Sequence, residues 1–316
     1  VYQSEKELLD EAETLLERLV DCDDDLRQDY ARLTQGYRRL LKQIQTLTKL
    51  SDNQQHRLNT LLERTGKYVS PQLFRLITQG REKVELNKTR RKRLTVFESD
   101  IVAFTPATVN LEPETLSSFL NGYLEEMTRI VLKWDGTLDK YMGDAMLVFF
   151  GDPLVTNDED HALRCVKMAL EMRSRMTELQ DDWYNLGFAE PLHIRMGIAT
   201  GFCTVGNFGS SQRMDYTIIG STVNMAQRLQ AAADTDGILI SHDTWGLVRE
   251  HIDCETPVSL TLKGFNHPVL AHKLLGLAEP HSDTPVEIDD PERNLLIRVD
   301  WSKITRSELI ERIRKL

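Results

Sequence analysis

The sequence predicts an α+β protein, in which a long α-helical coiled coil precedes a ferredoxin-like domain of βαββαβ type. Three observations point there. Apolar residues recur at alternating spacings of three and four from the N-terminus to about Leu61. Beyond Arg93, short β-rich runs alternate with amphipathic helical stretches. Two of those runs have an aspartate placed at the end of an apolar stretch, Asp100 in SDIVAFT and Asp144 in DKYMGDAMLVFF.

The first segment, 1–64, reads as a dimeric coiled-coil signalling helix. Leu19, Leu26, Leu33, Leu40, Leu47 and Leu61 take d positions, and Leu9, Leu16, Tyr30, Tyr37, Ile44 and Leu58 take a, a seam that favours two parallel strands. An antiparallel helical hairpin is the alternative, although no Pro or Gly-rich turn splits the segment. Polar residues interrupt the seam at Asp23, Ser51 and Gln54, where they lower stability and set register. Residues 65–92 form a short helix, Pro71 to Ile77, opened by Ser70-Pro71, and a charged linker.

The globular domain, 93–277, is expected to run strand (Arg93 to Val102), helix (Pro113 to Trp134), hairpin (Thr137 to Phe150), helix (Glu159 to Leu179) and strand (His193 to Thr200). That order implies an antiparallel-containing sheet with helices on one face. Short strands near Thr204 to Phe208 and Tyr216 to Ile219, a helix from Thr222 to Ala233, and strands near Ile238 and Leu270 follow. The tail, 278–316, is rich in Pro and acidic residues and ends in a strand, Leu295 to Val299, and a helix, Ser307 to Leu316.

A net charge of -10 argues against a nucleic-acid surface, because the one basic run, Lys88 to Arg93, is short and reads as a solvated linker. Cys22, Cys165, Cys203 and Cys254 lie far apart without a C-x-x-C pair, so neither zinc nor a disulfide framework is expected, and a reducing cytoplasm fits. No run approaches the roughly 20 apolar residues of a membrane span. The chain begins with Val1, and an upstream sensor part is expected.

Asp100 follows Leu94-Thr95-Val96-Phe97, and Asp144 sits in a Gly-Asp step between two β-rich segments, a hairpin signature. Each alone reads as a turn-capping aspartate. Together they make a hard-oxygen site suited to Mg²⁺ or Mn²⁺ with a nucleotide triphosphate. Lys140 lies four residues before Asp144, while Asn224 and Arg228 lie four apart and so share a helix face.

Several ordered strings carry a resemblance: Phe97-x-x-Asp100-Ile101-x-x-Phe104-Thr105, Lys140-x-x-Gly143-Asp144, Arg195-Met196-Gly197-Ile198, Gly201-x-x-x-x-Gly206, and Tyr216-Thr217-Ile218-Ile219-Gly220-x-x-Val223-Asn224-x-x-x-Arg228-Leu229. From about Arg93 to Gly276 the chain resembles the class III nucleotidyl cyclase catalytic domain. The resemblance implies two Mg²⁺ or Mn²⁺ ions per site, held by Asp100, Asp144 and the backbone carbonyl of Ile101. It further implies that Asn224 orients the ribose and Arg228 stabilises the transition state, while Arg195, Lys263, Phe104 and Thr105 bind substrate. Each site would lie between two copies of the domain, so a homodimer joined by the coiled coil is expected.

Base choice follows from hydrogen bonding. Lys140 has donors only and suits adenine N1, and Thr217 can accept from N6, although a hydroxyl can also donate. ATP is therefore the expected substrate and cyclic AMP the product. Guanylate cyclase activity is the alternative, and a non-catalytic nucleotide-binding module the alternative of another class. The lysine and threonine subgroup includes members that respond to bicarbonate, a further expectation of the resemblance. Two positions depart from the pattern: Ala103 stands where the family commonly has glycine, and Glu98 where an aromatic or apolar residue is usual.

Overall fold

The computed structural model describes residues 2–18, 24–78, 89–109, 112–186, 188, 191–278, 286–290, 295–299 and 312. The chain divides into two units, Val1–Val69 and Ser70–Leu316.

The first unit holds α1 (Tyr2–Arg18) and α2 (Asp24–Gly66). The single helix expected over 1–64 is thus two helices. Arg38 on α2 pairs with Glu13 on α1, its Nε donating at 2.8 Å, so α1 folds back along α2. Leu9, Thr34 and Leu41 are buried. Thr34 and Leu41 each lie one position round from the heptad seam, whose Leu33, Leu40, Ile44, Leu47, Leu58 and Leu61 remain exposed. The seam residues Leu19 and Asp23, like Cys22, fall outside the described residues.

The second unit opens with α3 (Pro71–Thr78) and continues through β1 (Thr89–Ile101), α4 (Phe104–Thr108), α5 (Pro113–Lys133), β2 (Thr137–Met142), β3 (Ala145–Phe150), α6 (Asp158–Glu178) and α7 (Gln180–Asn185). It then runs through β4 (Ile194–Gly209), β5 (Met214–Ile219), α8 (Ser221–Ala232), β6 (Ile238–Ser241), α9 (His242–Val248), β7 (Ile252–Cys254), β8 (Val258–Leu260), β9 (Val269–Leu277), β10 (Val286–Asp290) and β11 (Leu295–Val299). The main sheet has the order β2-β3-β1-β4-β6-β9-β7, with β5 on β4 and β8 on β9. Its first four strands are antiparallel in the spatial order 2-3-1-4. β4 pairs with β6 in parallel. β10 and β11 form a separate hairpin, and the expected helix 307–316 lies outside the described residues apart from Arg312.

Strand alternation builds two cores. Phe97, Ile101, Met146, Val148, Met196 and Ile198 point to the face covered by α5 and α6. Leu94, Val96, Leu147, Phe149 and Ala199 point the other way, onto Ala226 and Leu229 of α8. Helices therefore cover both faces, which corrects the one-face expectation: α8 follows β5, which pairs with the far half of β4, and the chain returns over the opposite side. β1 also starts earlier than expected. Thr89 to Arg93 pair with Gly206 to Phe202 of the extended β4, so most of the basic run is strand and not linker.

Local chemistry sets the helix ends. Asn157 caps α6 by accepting from Asp160 N at 2.7 Å, a contact worth about 1 kcal/mol. Asp158, Glu159 and Asp160 oppose the positive end of that helix. α5 starts on Pro113, pre-set for the first turn. Within the second unit, Gln72 of α3 donates its amide to the carbonyl of Gly136, just before β2.

Candidate active site

Asp100 lies at the end of β1 and Asp144 in the β2–β3 turn. The turn closes between Met142 and Ala145, and Gly143 supplies the positive φ of 71° that a two-residue hairpin needs. Since β3 lies beside β1, with Met146 opposite Ser99, the turn is carried to the strand end where Asp100 sits. Asp144 Oδ2 accepts from Ile101 N at 3.1 Å. Half-burial, and then the neighbouring Asp100 carboxyl, hold the Asp144 pKa above the usual carboxylate range.

Two acceptor-only carboxylates forced together fit a hard divalent cation, which would relieve their repulsion. Among the described residues no group of three or more His, Cys, Asp and Glu could hold a metal. The remaining coordination positions would fall to a backbone carbonyl such as that of Ile101, to water and to substrate phosphates.

Arg195, expected on the triphosphate, pairs with Asp100, Nη2 to Oδ2 at 2.9 Å. The two residues are directly opposite in the β1–β4 ladder, so the register brings a guanidinium to the carboxylate. Gln230 of α8 also reaches Asp100 Oδ2, at 3.5 Å. Phe104, expected on the substrate, stacks its ring on Phe119 of α5 at 6.0 Å between centroids and joins the core. The Thr105 side chain falls outside the described residues. Lys263 is exposed at a turn before Gly264.

Both departures from the family pattern acquire a structural account. Glu98 is buried at 4% exposure beneath α8, where it accepts from Gln227 Nε2 at 3.3 Å. Burial raises its pKa to about 7, with Asp100 adding to the shift and Gln227 and Arg228 opposing it. It faces neither solvent nor the sheet edge. Ala103 adopts φ 52°, ψ 32°, the left-handed region that glycine enters freely and alanine at a cost of about 1–2 kcal/mol. A negative φ would have made the change from glycine mild; the positive one makes it a strained position.

Lys140 and Thr217 come together through a residue that sequence reasoning passed over. Thr217 Oγ1 donates to Asp139 Oδ2 at 2.6 Å, and Lys140 Nζ lies 3.7 Å from Asp139 Oδ1. Nothing in the sequence flags Asp139, one aspartate in a strand. Asp152, 1% exposed, joins the same region: it takes Lys92 and Tyr216 on its carboxylate, while its carbonyl accepts from Thr137 Oγ1 at 2.7 Å. β5 is thereby tied to β1 and β2.

Asn224 and Arg228 sit on α8, as their spacing requires. Asn224 is exposed and Arg228 half-buried, with the Arg228 Nε buried and without a hydrogen-bond partner. The helix is held close to the sheet at Gly197, where a Cβ would stand 2.2 Å from the carbonyl oxygen of Ala226 and 2.3 Å from the nitrogen of Gln230.

Fold and site together define a domain of the nucleotidyl cyclase class. The chain belongs to the adenylate and guanylate cyclase catalytic domain family, which it matches over residues 86–276. Among solved structures it is similar to the adenylyl cyclase CyaB from P. aeruginosa, at 46% identity and a TM-score of 0.59 over 62% of this chain and 99% of that one. It is also similar to the guanylyl cyclase Cya2, at 33% identity and a TM-score of 0.57 over 61% of this chain and 96% of that one. An adenylate cyclase of Anabaena cylindrica is 29% identical over 210 residues, 66% of this chain and 40% of the relative. The chain thus spans well under two thirds of that relative's length. No helix among the described residues is long and apolar enough to cross a membrane.

Proposed function

We propose that this chain is an adenylate cyclase, converting ATP to 3′,5′-cyclic AMP and pyrophosphate at sites shared by two copies. The observation that carries the reading is the convergence of Lys140 on β2 and Thr217 on β5 upon one carboxylate, Asp139. Lysine can only donate, which suits adenine N1 and opposes the N1–H of guanine; the threonine oxygen can accept from adenine N6.

In the reaction the ribose 3′-oxygen loses its proton and bonds to the α-phosphorus, and the bond from that phosphorus to the bridging oxygen of pyrophosphate breaks. Asp100, Asp144 and the Ile101 carbonyl would hold the two divalent ions, Mg²⁺ or Mn²⁺, which when bound acidify the attacking hydroxyl and neutralise the triphosphate. Asn224, exposed one turn before Arg228, orients the ribose. Arg228 directs its guanidinium at the charge that develops on the transferred phosphoryl group, an effect of roughly 3 kcal/mol per donor. Arg195, which pairs with Asp100 through Nη2, contacts the triphosphate beside the cation seat. Lys263 and the backbone at Phe104 and Thr105 contact the phosphates.

The exposed seam of α2, from Leu33 to Leu61, is suited to pairing with a second copy. In such a dimer the carboxylates of one copy face Lys140, Thr217, Asn224 and Arg228 of the other. The location proposed is cytoplasmic, where ATP is available, with an upstream sensor acting through the helices.

The test is to incubate the purified chain with ATP or GTP and Mg²⁺ or Mn²⁺ and to identify the product by chromatography, with Asp100→Ala as control. Cyclic AMP from wild type and none from the control is expected. Absence of any cyclic product, or cyclic GMP as the main one, overturns the reading.

A further inference from the structure

Thr217 reads a base ambiguously, because a hydroxyl both donates and accepts. The structure removes the ambiguity. The Thr217 hydroxyl gives its one proton to Asp139 Oδ2 at 2.6 Å, and the Asp139 side chain is 2% exposed, so no water competes for that acceptor. Asp139 also accepts from the backbone N–H of Ile218 and lies beside the Lys140 ammonium. Burial raises its pKa, and these donors pull against that shift; with Thr217 Oγ1, the Ile218 N–H and the Lys140 ammonium all facing it, the carboxylate is placed to accept.

We infer that Asp139 is a specificity-determining positioning residue: by taking the proton of Thr217 it leaves that oxygen a pure acceptor, which matches the amino group of adenine and repels the carbonyl of guanine. The inference rests on the adenylate reading of the site. Asp139 touches no reacting atom and acts through two neighbours. It fixes which way Thr217 is polarised, and it holds Lys140 on the same side of the purine. The Asp152 anchor explains how the contact is kept, since Tyr216 precedes Thr217 and Thr137 lies two residues before Asp139, and both bond to Asp152.

Freed of Asp139, the Thr217 hydroxyl can rotate and donate to guanine O6, and Lys140 loses its tether. The ratio of kcat/KM for ATP to that for GTP should then fall, by about tenfold to a hundredfold for the loss of one charge-assisted hydrogen bond.

The experiment measures kcat/KM for both nucleotides in wild type, Asp139→Ala, Asp139→Asn and Thr217→Val, and in Asp139→Asn combined with Thr217→Val, with folding checked by circular dichroism. Asp139→Asn keeps the size of the side chain, so it reports even where alanine unfolds the chain; its amide can donate to Thr217 and reverse the polarity. A reduced ATP preference is expected in both Asp139 variants. In the Thr217→Val background, adding Asp139→Asn should lower the ratio by clearly less than it does in the wild-type background, since only the Lys140 tether is then lost.

Equal losses for both nucleotides with the ratio unchanged would make Asp139 merely structural and overturn the inference. So would the same drop in ratio with and without the Thr217 hydroxyl. A wild-type chain that turns over GTP as readily as ATP refutes the adenylate reading and takes the inference with it. A wild type that prefers ATP, combined with an unchanged ratio in the variants, refutes the inference alone.

Discussion

Gly197→Ala is a one-methyl change in the middle of a sheet, yet it should disable turnover. Gly197 sits on β4 between Glu98 of β1 and Leu239 of β6, so the strand cannot back away. The added Cβ would lie 2.2 Å from the Ala226 carbonyl oxygen and 2.3 Å from the Gln230 nitrogen. Non-bonded heavy atoms settle at about 3.5 Å, so α8 must lift by roughly 1 Å. Asn224 and Arg228 flank Ala226 by two residues on either side and move with it. A displacement of about 1 Å in a positioned catalytic group costs about a hundredfold in rate, and the strained packing costs about 1–3 kcal/mol of stability. Steady-state cyclic AMP formation should show kcat reduced about a hundredfold, and urea unfolding a lowered midpoint with an unchanged slope. A folded variant with wild-type kcat would refute the claim that the seating of α8 on Gly197 sets the position of the proposed catalytic pair, Asn224 and Arg228.

Three further outcomes are expected. Asp144→Ala and Arg228→Ala chains, each inactive alone, should recover activity when mixed and allowed to exchange subunits, because one site of the heterodimer keeps both halves; no recovery despite demonstrated exchange contradicts a shared site. Ala103→Gly should raise stability by about 0.5–1 kcal/mol in a denaturant melt, since glycine enters φ 52° without strain but loses more chain entropy; a loss of stability would count against strain there. His272 is 3% exposed and stacks on Trp245 at 4.5 Å, and burial first, then the adjacent His242, lower its pKa to about 4. Its unfolded form, near 6.5, binds the extra proton first, so stability is full above about pH 6.5 and falls by up to about 3 kcal/mol as the pH drops towards 4. His272→Phe should flatten that part of the pH profile, and an unchanged profile would exclude His272 as its source.

The parts of the fold legible in the sequence were those with a local cause. The β2–β3 hairpin follows from Gly143-Asp144 between β-rich runs, α6 from its periodicity and α8 from the four-residue step between Asn224 and Arg228. The break between α1 and α2 was hidden because the heptad count runs straight across it, and the face that buries Leu41 is not the seam. Thr89 to Arg93 reads as linker from its charge alone, because its pairing with the distant half of β4 leaves no local signal. Arg195 opposite Asp100, Phe104 on Phe119 and Asp139 beneath Thr217 are matters of register and packing across 95, 15 and 78 residues. No spacing rule reaches that far. The φ of Ala103 was equally closed to sequence, since an alanine does not announce a left-handed turn.

The amide of Gln72 fastens α3 to the carbonyl of Gly136, at the root of the β2–β3 hairpin. That hairpin carries Asp139 and Lys140 on its first strand and Asp144 at its tip. In a dimer with shared sites those groups belong to different reaction centres, the lysine serving one and the tip carboxylate the other. A tug on α3 would therefore be felt at both centres at once, blurring purine choice in the first while shifting the cation seat in the second. A signal arriving on one helix would not need to be duplicated to throttle two reactions together.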